Sequence, residues 1–172
     1  RYKADAPIII QYFKPLKKLD IFYENEKVEF FFNLPIEDNL NKKYNLSEDY
    51  VVLAPGASKN TKKWIYFNEL ANLIQKNMNL KIYIIGGKED FGVVKENENI
   101  IDLSGKLSYK ESGVLLKYAK FSVTNDSGPF HISVGVGTKT FVFFGPTDPG
   151  MFIFGENETV LSSNQRCSPC SL

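Results

Sequence analysis

Histidine and tryptophan each occur once in the 172 residues, and methionine and cysteine twice each. The two cysteines, Cys167 and Cys170, are too few for a disulfide framework and fit a reducing compartment. One C-x-x-C pair supplies half of a tetrahedral zinc site, and no second pair or nearby histidine completes it. A redox role calls for such a motif at a helix start, which the Ser168-Pro169 interior does not provide. A structural role is therefore expected of the pair. Charge of one sign is missing too: 21 basic and 20 acidic side chains leave +1, which gives no bulk attraction for nucleic acid. No apolar run approaches the roughly 18 residues of a membrane span. Internal repeats, low-complexity tracts and a signal-peptide pattern are lacking as well. A cytoplasmic protein is expected, and a chain opening on Arg1 without methionine reads as a fragment of a longer one.

What is present is enough for a core. Residues of hydrophobic type make up 43% and aromatics 14%, so one domain with a lead-in segment is expected. The lead-in is taken as residues 1–46 and the domain as 47–172. In the lead-in, Asp5 followed by Ala6-Pro7 fits an N-cap with proline in the first turn. The run IIIQYFKPLKKL predicts a helix split at Pro15. KVEFFFN (27–33) predicts a strand or extended segment, and the polar LPIEDNLNKKYNLSED that follows predicts a linker.

From Tyr50 onward a strand–helix rhythm sets in. YVVLAP and LKIYIIGG are continuous apolar runs, as strands buried on both faces require. IIDLSG, Phe121–Thr124, Thr140–Phe144 and Thr159–Ser162 supply further strands. Between the first two, Phe67, Leu70, Ala71, Ile74 and Met78 fall on one helical face within a helix expected over 64–77. Ser108 with Glu111 forms a capping-box signature for a helix over 109–120, which Gly113 weakens. A third helix is expected from about Pro129 to Val136. This alternation predicts an α/β fold: a Rossmann-like parallel sheet with flanking helices.

Polar turns follow several strands, and in a parallel sheet they share one edge, where such folds hold their ligands. Pro55-Gly56-Ala57-Ser58 with Lys59, Lys62 and Lys63 offers a close-approach glycine, a hydroxyl and cations suited to phosphate. A helix starting directly after it would add backbone N–H groups. Gly86-Gly87-Lys88-Glu89-Asp90 offers carboxylates that could accept from ribose hydroxyls. Asn125-Asp126-Ser127-Gly128-Pro129-Phe130-His131 opens a helix that Asp126 or Ser127 could cap. The same geometry would also aim the N–H groups of Ser127 and Gly128 at an anion, with His131 one turn on. Phe144-Gly145-Pro146-Thr147-Asp148-Pro149 closes the edge. Each turn alone is open to a plain structural reading; their recurrence on one edge favours a binding site.

PGAS…KKW, DSGPFHIS and FGPTDP, with the closing Cys-Ser-Pro-Cys, resemble glycosyltransferase family 9, the ADP-heptose:lipopolysaccharide heptosyltransferases. The resemblance covers roughly residues 48–170. Ile65 departs from it where the family commonly has proline, and Val134-Gly135-Val136 where it has a small alanine-rich turn. It implies the C-terminal, donor-binding domain of a two-domain GT-B enzyme, with residues 1–46 as the interdomain region and the N-terminal acceptor domain absent. It implies inverting transfer without a metal or other cofactor, ADP-sugar being the substrate, and a general base in the missing half. Catalytic residues are thus not expected here. By position, Ser58 and Lys62 would contact the donor phosphates and Glu89 or Asp90 the ribose. Asp126 would hold the sugar hydroxyls, Ser127, Gly128 and His131 would gather at the diphosphate, and Thr147 would complete the donor contacts. A lipid-linked glycan acceptor would bring the enzyme to the inner face of the cytoplasmic membrane as a peripheral visitor at most. Two other readings stay open: a GT-B-like nucleotide-sugar epimerase, separable by product analysis, and a non-catalytic nucleotide-binding domain, separable by nucleotide titration.

Overall fold

Six strands pair side by side, all parallel, in the order β3–β2–β1–β4–β5–β6 in a computed structural model that describes residues 6–24, 27–152, 155–163 and 165–170. They are β1 (Tyr50–Ala54), β2 (Lys81–Ile84), β3 (Ile100–Asp102), β4 (Phe121–Asn125), β5 (Thr140–Phe144) and β6 (Glu158–Ser162). β1 is central and every one of its residues is buried. It registers Val51 and Val52 against Ile82 and Tyr83 on one side and against Phe121 and Ser122 on the other. A continuous apolar run is what a strand covered on both faces demands. The Rossmann-like expectation holds.

The two faces carry separate cores. On one, α3 (Phe67–Met78) sets Phe67, Ala71 and Ile74 against Val51, Leu53, Ile82 and Ile84. α3 begins three residues later than the periodicity suggests, and Met78, at its end, is 45% exposed and does not join the face. On the other, α4 (Tyr109–Lys117) sets Val114, Leu115 and Leu116 against Val52, Ala54 and Tyr83. Its capping box forms as the sequence signals: Ser108 accepts from the Glu111 N–H, and Glu111 accepts from the Ser108 N–H at 2.7 Å. The second bond holds the Glu111 carboxyl below its ordinary range. Tyr50 reaches across the core to donate to the Leu115 carbonyl at 2.7 Å, and burial pushes its phenol far up. α5 (Gly128–Gly135) is pinned to the sheet by hydroxyls: Ser133 lies 2.8 Å from Ser122 Oγ and 2.6 Å from Thr140 Oγ1, all three fully buried.

The lead-in departs most from expectation. Pro15 does split the first helix, leaving α1 (Ile8–Phe13) and a 3-10 segment Pro15–Leu19. Pro7 itself stands at the N-cap, without a side-chain cap bond, and Asp5 lies outside the described residues. The segment 27–33 carries no regular secondary structure and belongs to none of the six strands; Phe30 donates its N–H to the Gly135 carbonyl at 3.0 Å. The polar run after it is a helix, α2 (Leu34–Tyr44), rather than a linker. Asn33 accepts from the Ile36 N–H, proline occupies the first turn, and Asn45 ends the helix in the left-handed conformation. Leu40 and Leu46 then enter the same core as Tyr50 and Leu115. Few apolar residues suffice when a finished helix face is there to receive them.

Candidate functional site

Strand order reverses direction between β1 and β4, so the loops leaving these two strands open a crevice at the C-terminal edge. The loop after β1 does not run straight into a helix. A 3-10 turn, Asn60–Lys62, comes first, and α3 starts only at Phe67, capped by neither Ser58 nor any other side chain. The expected helix N-terminus directly behind Ser58 is therefore absent, because residues 59–66 are used to carry Lys62, Lys63 and Trp64 across the sheet edge. Ser58 itself is exposed.

Lys62 meets the loop after β4. Its Nζ lies 2.6 Å from Asp126 Oδ2, with the aspartate only 5% exposed. Beside this pair, Asn125 is fully buried at the end of β4 and spans both loops. It donates from Nδ2 to the Pro55 carbonyl at 2.7 Å and accepts at Oδ1 from the Trp64 N–H at 3.0 Å. The Trp64 ring stacks on Phe143 of β5 at 4.1 Å and 16°. Asn125 was not among the residues singled out from sequence. Its signal was a strand-disfavoured amide closing an apolar strand immediately before an aspartate.

α5 opens on Ser127 without a side-chain cap; Ser127 Oγ turns back to the Asn125 carbonyl, and Asp126 is engaged by Lys62. The expected capping by Asp126 or Ser127 is thus not made. Space stands open at Gly128, where an added Cβ would meet nothing within 4 Å. His131 follows one turn on, solvent-exposed as a residue, yet with its ring against Phe130 at 4.9 Å and Phe152 at 5.2 Å between centroids. That cover lowers the affinity of its ring for a proton below the ordinary 6.5; Asp126 opposes the shift and Lys62 adds to it.

The loop after β2 faces inward. Asp90 is 4% exposed, accepts from the Gly87 N–H at 3.0 Å and lies 3.3 Å from Lys63 Nζ. Its carboxylate fills the space beside Gly56, where a Cβ would come within 2.1 Å of Oδ2. The neighbouring Glu89 is exposed. Thr147 is half-buried in the loop after β5. That loop is tied down by the C-terminal segment: Ser168 Oγ donates to the Gly145 carbonyl at 2.6 Å and the Cys170 N–H to the Pro146 carbonyl at 2.9 Å. Cys167 and Cys170 are free thiols. A hollow of about 350 Å³ between the first and last loops reaches Lys62, Trp64 and Gly145 but not Asp126 or His131. Tertiary structure thus gathers Lys62, Asp126 and His131 at the switch point, leaves Ser58 and Glu89 exposed on their loops, and turns Asp90 inward. Among the described residues, no three His, Cys, Asp or Glu are grouped to hold a metal, and no helix is long and apolar enough to cross a membrane.

The family model for glycosyltransferase family 9 (heptosyltransferase) matches residues 4–171. The chain belongs to this family. It is 29% identical over 133 residues to lipooligosaccharide heptosyltransferase 2 of Campylobacter jejuni, covering 69% of this chain and 41% of that protein. The family 9 glycosyl transferase of Veillonella parvula shares the fold with a TM-score of 0.81 at 19% identity, over 94% of this chain and 50% of that one. E. coli heptosyltransferase WaaC, solved with ADP, does so with a TM-score of 0.68 at 19% identity, over 95% of this chain and 52% of that one. The family 9 chain therefore spans about half, or less, of the length of the relatives it matches.

Proposed function

We propose that the chain is the donor-binding, C-terminal half of an inverting glycosyltransferase that moves heptose from ADP-heptose to a lipopolysaccharide-type acceptor without a metal. The convergence of Lys62, Asp126 and His131 on the uncapped start of α5 carries the reading. Breaking the glycosidic bond to a nucleoside diphosphate builds negative charge on the leaving phosphate. A lysine ammonium and helix N-terminal N–H groups aimed there stabilise that charge more in the transition state than in the ground state. Lys62 is held by Asp126. A diphosphate would compete for the ammonium and free the Asp126 carboxylate to accept from the sugar hydroxyls. His131, its ring disfavouring a proton, would become a better donor as the dianion arrives. Ser127, Gly128 and Thr147 would line the same pocket and Ser58 its outer phosphate edge. Of the two carboxylates after β2, exposed Glu89 suits ribose better than Asp90, which is engaged by Lys63 and Gly87.

The general base and the acceptor site belong, in this reading, to an N-terminal domain outside this chain, with residues 1–46 leading from it into the domain at 47–172. The enzyme would work in the cytoplasm, touching the membrane only peripherally through its lipid-linked acceptor. Titration calorimetry of the chain with ADP, with UDP as the control, tests the reading: ADP binds weakly and preferentially. In the protein completed by its N-terminal half, Lys62→Ala is expected to lower turnover by two or more orders of magnitude with the melting temperature kept. Wild-type rates would remove Lys62 from the mechanism.

A further inference from the structure

Asn125 joins the loops on both sides of the switch point, as the Lys62–Asp126 pair also does, and it is itself fully buried. Its amide is used at both ends. The Nδ2 donor holds the carbonyl of Pro55, the first residue after β1, and the Oδ1 acceptor holds the Trp64 N–H, eight residues beyond Gly56 of that loop. Between these anchors the chain must bow outward through Ser58 to Lys63. Lys62 sits at the return of the bow, two residues before the second anchor, and this is where its ammonium meets Asp126. Trp64 is also fixed from below by its stack on Phe143. The bow is thus pinned at three points, two of them made by one amide.

We propose that Asn125 is a positioning residue for the donor phosphates: it sets where the Lys62 ammonium stands, through the Trp64 backbone, without touching the donor. The inference rests on the donor-binding reading for its ligand, but its geometric part does not. Only an amide serves both ends. An aspartate would face the Pro55 carbonyl with a second acceptor, and a serine is too short to span the two anchors. Lysine position matters because charge stabilisation depends on the ammonium lying in place before the reaction, and a displacement of about 1 Å is enough to cost substantial rate.

Trp64 is the single tryptophan of the chain, so its fluorescence reports this loop alone. Asn125→Ala and Asn125→Ser are compared with wild type in the 172-residue chain, first without ligand and then with ADP. The expected result is native far-ultraviolet circular dichroism, increased acrylamide quenching of Trp64, and ADP affinity lowered about tenfold. Lys62→Ala is then added to each variant. Its effect on ADP affinity should largely vanish there, since the ammonium is already out of place. A merely structural asparagine would instead leave the Lys62→Ala penalty at its wild-type size, which overturns the proposal, as does unchanged Trp64 quenching in a folded variant. If both variants fail to fold, Asn125 is a determinant of the fold and the positioning role is rejected. If wild type fails to bind ADP while the quenching changes appear, the donor-binding reading falls and the loop-setting role of Asn125 stands.

Discussion

Gly113 lies in the middle of α4, where alanine would ordinarily strengthen a helix by about 1 kcal/mol. The structure reverses that expectation. A Cβ at Gly113 would come within 2.5 Å of Phe30 Cε1 and 2.9 Å of Cδ1. The ring is restrained by packing against the core around Leu115 and Ile132, and Phe30 is anchored through its backbone as well: its N–H donates to the Gly135 carbonyl, and its Cβ lies 2.9 Å from where a Gly135 Cβ would stand. Two glycines, one on α4 and one closing α5, form the slot into which the lead-in inserts this phenylalanine. Overpacking of this kind costs about 1–3 kcal/mol, so after the helix gain Gly113→Ala should destabilise by about 1 kcal/mol. For a chain of this size that is roughly 2–4 °C in melting temperature. The decisive measurement is a double-mutant cycle by urea denaturation. In a Phe30→Ala background the clash is gone, and Gly113→Ala should stabilise by up to about 1 kcal/mol. Stabilisation by Gly113→Ala with Phe30 intact would refute the slot, and so would equal effects in the two backgrounds.

Gly56→Ala is expected to destabilise by about 2 kcal/mol, since the new methyl would overlap the buried Asp90 carboxylate. Thermal melting should show the loss, and an unchanged melting temperature would mean that Asp90 is not held there by Gly87 and Lys63. His131 gives a pH signature. Burial by its ring neighbours is the largest cause of its lowered proton affinity, with Lys62 assisting and Asp126 opposing. As pH falls, the unfolded chain takes up that proton first, so stability present above 6.5 is lost as pH drops from 6.5 through the lower folded value. His131→Gln should therefore show a shallower decline in stability across that window, and parallel profiles would contradict the assignment. ADP binding should draw a proton onto His131 at neutral pH, read as a binding enthalpy that varies with the ionisation heat of the buffer.

The fold was legible because its signals are local. Continuous apolar runs of four to five residues name the strands β1, β2 and β5, and a period near 3.6 names α3. The Ser108–Glu111 box marks the start of α4 to the residue. α2 was hidden because its sequence is polar and its helical face is completed only by α4 and the core around Tyr50. Gly113 looked like a weakness in α4 for a related reason: its neighbour is 83 positions away in sequence, and no local pattern records Phe30.

The site divides along the same line. Residue order alone determined that Asp126, Ser127, Gly128 and His131 stand together at the start of α5, because they are consecutive or one helical turn apart. The motifs PGAS, DSGPFHIS and FGPTDP likewise pointed to the family before any geometry. Tertiary structure decided what depends on distance through space. It sent α3 away from Ser58, turned Asp90 inward to Lys63, and brought Lys62 to Asp126 across 64 residues of sequence. It also gave Asn125 its work, since one amide can join two loops only after parallel pairing of β1 and β4 has set them side by side. Hydrophobic periodicity is written into the chain residue by residue, whereas a hydrogen bond between remote loops exists only once the sheet between them has formed.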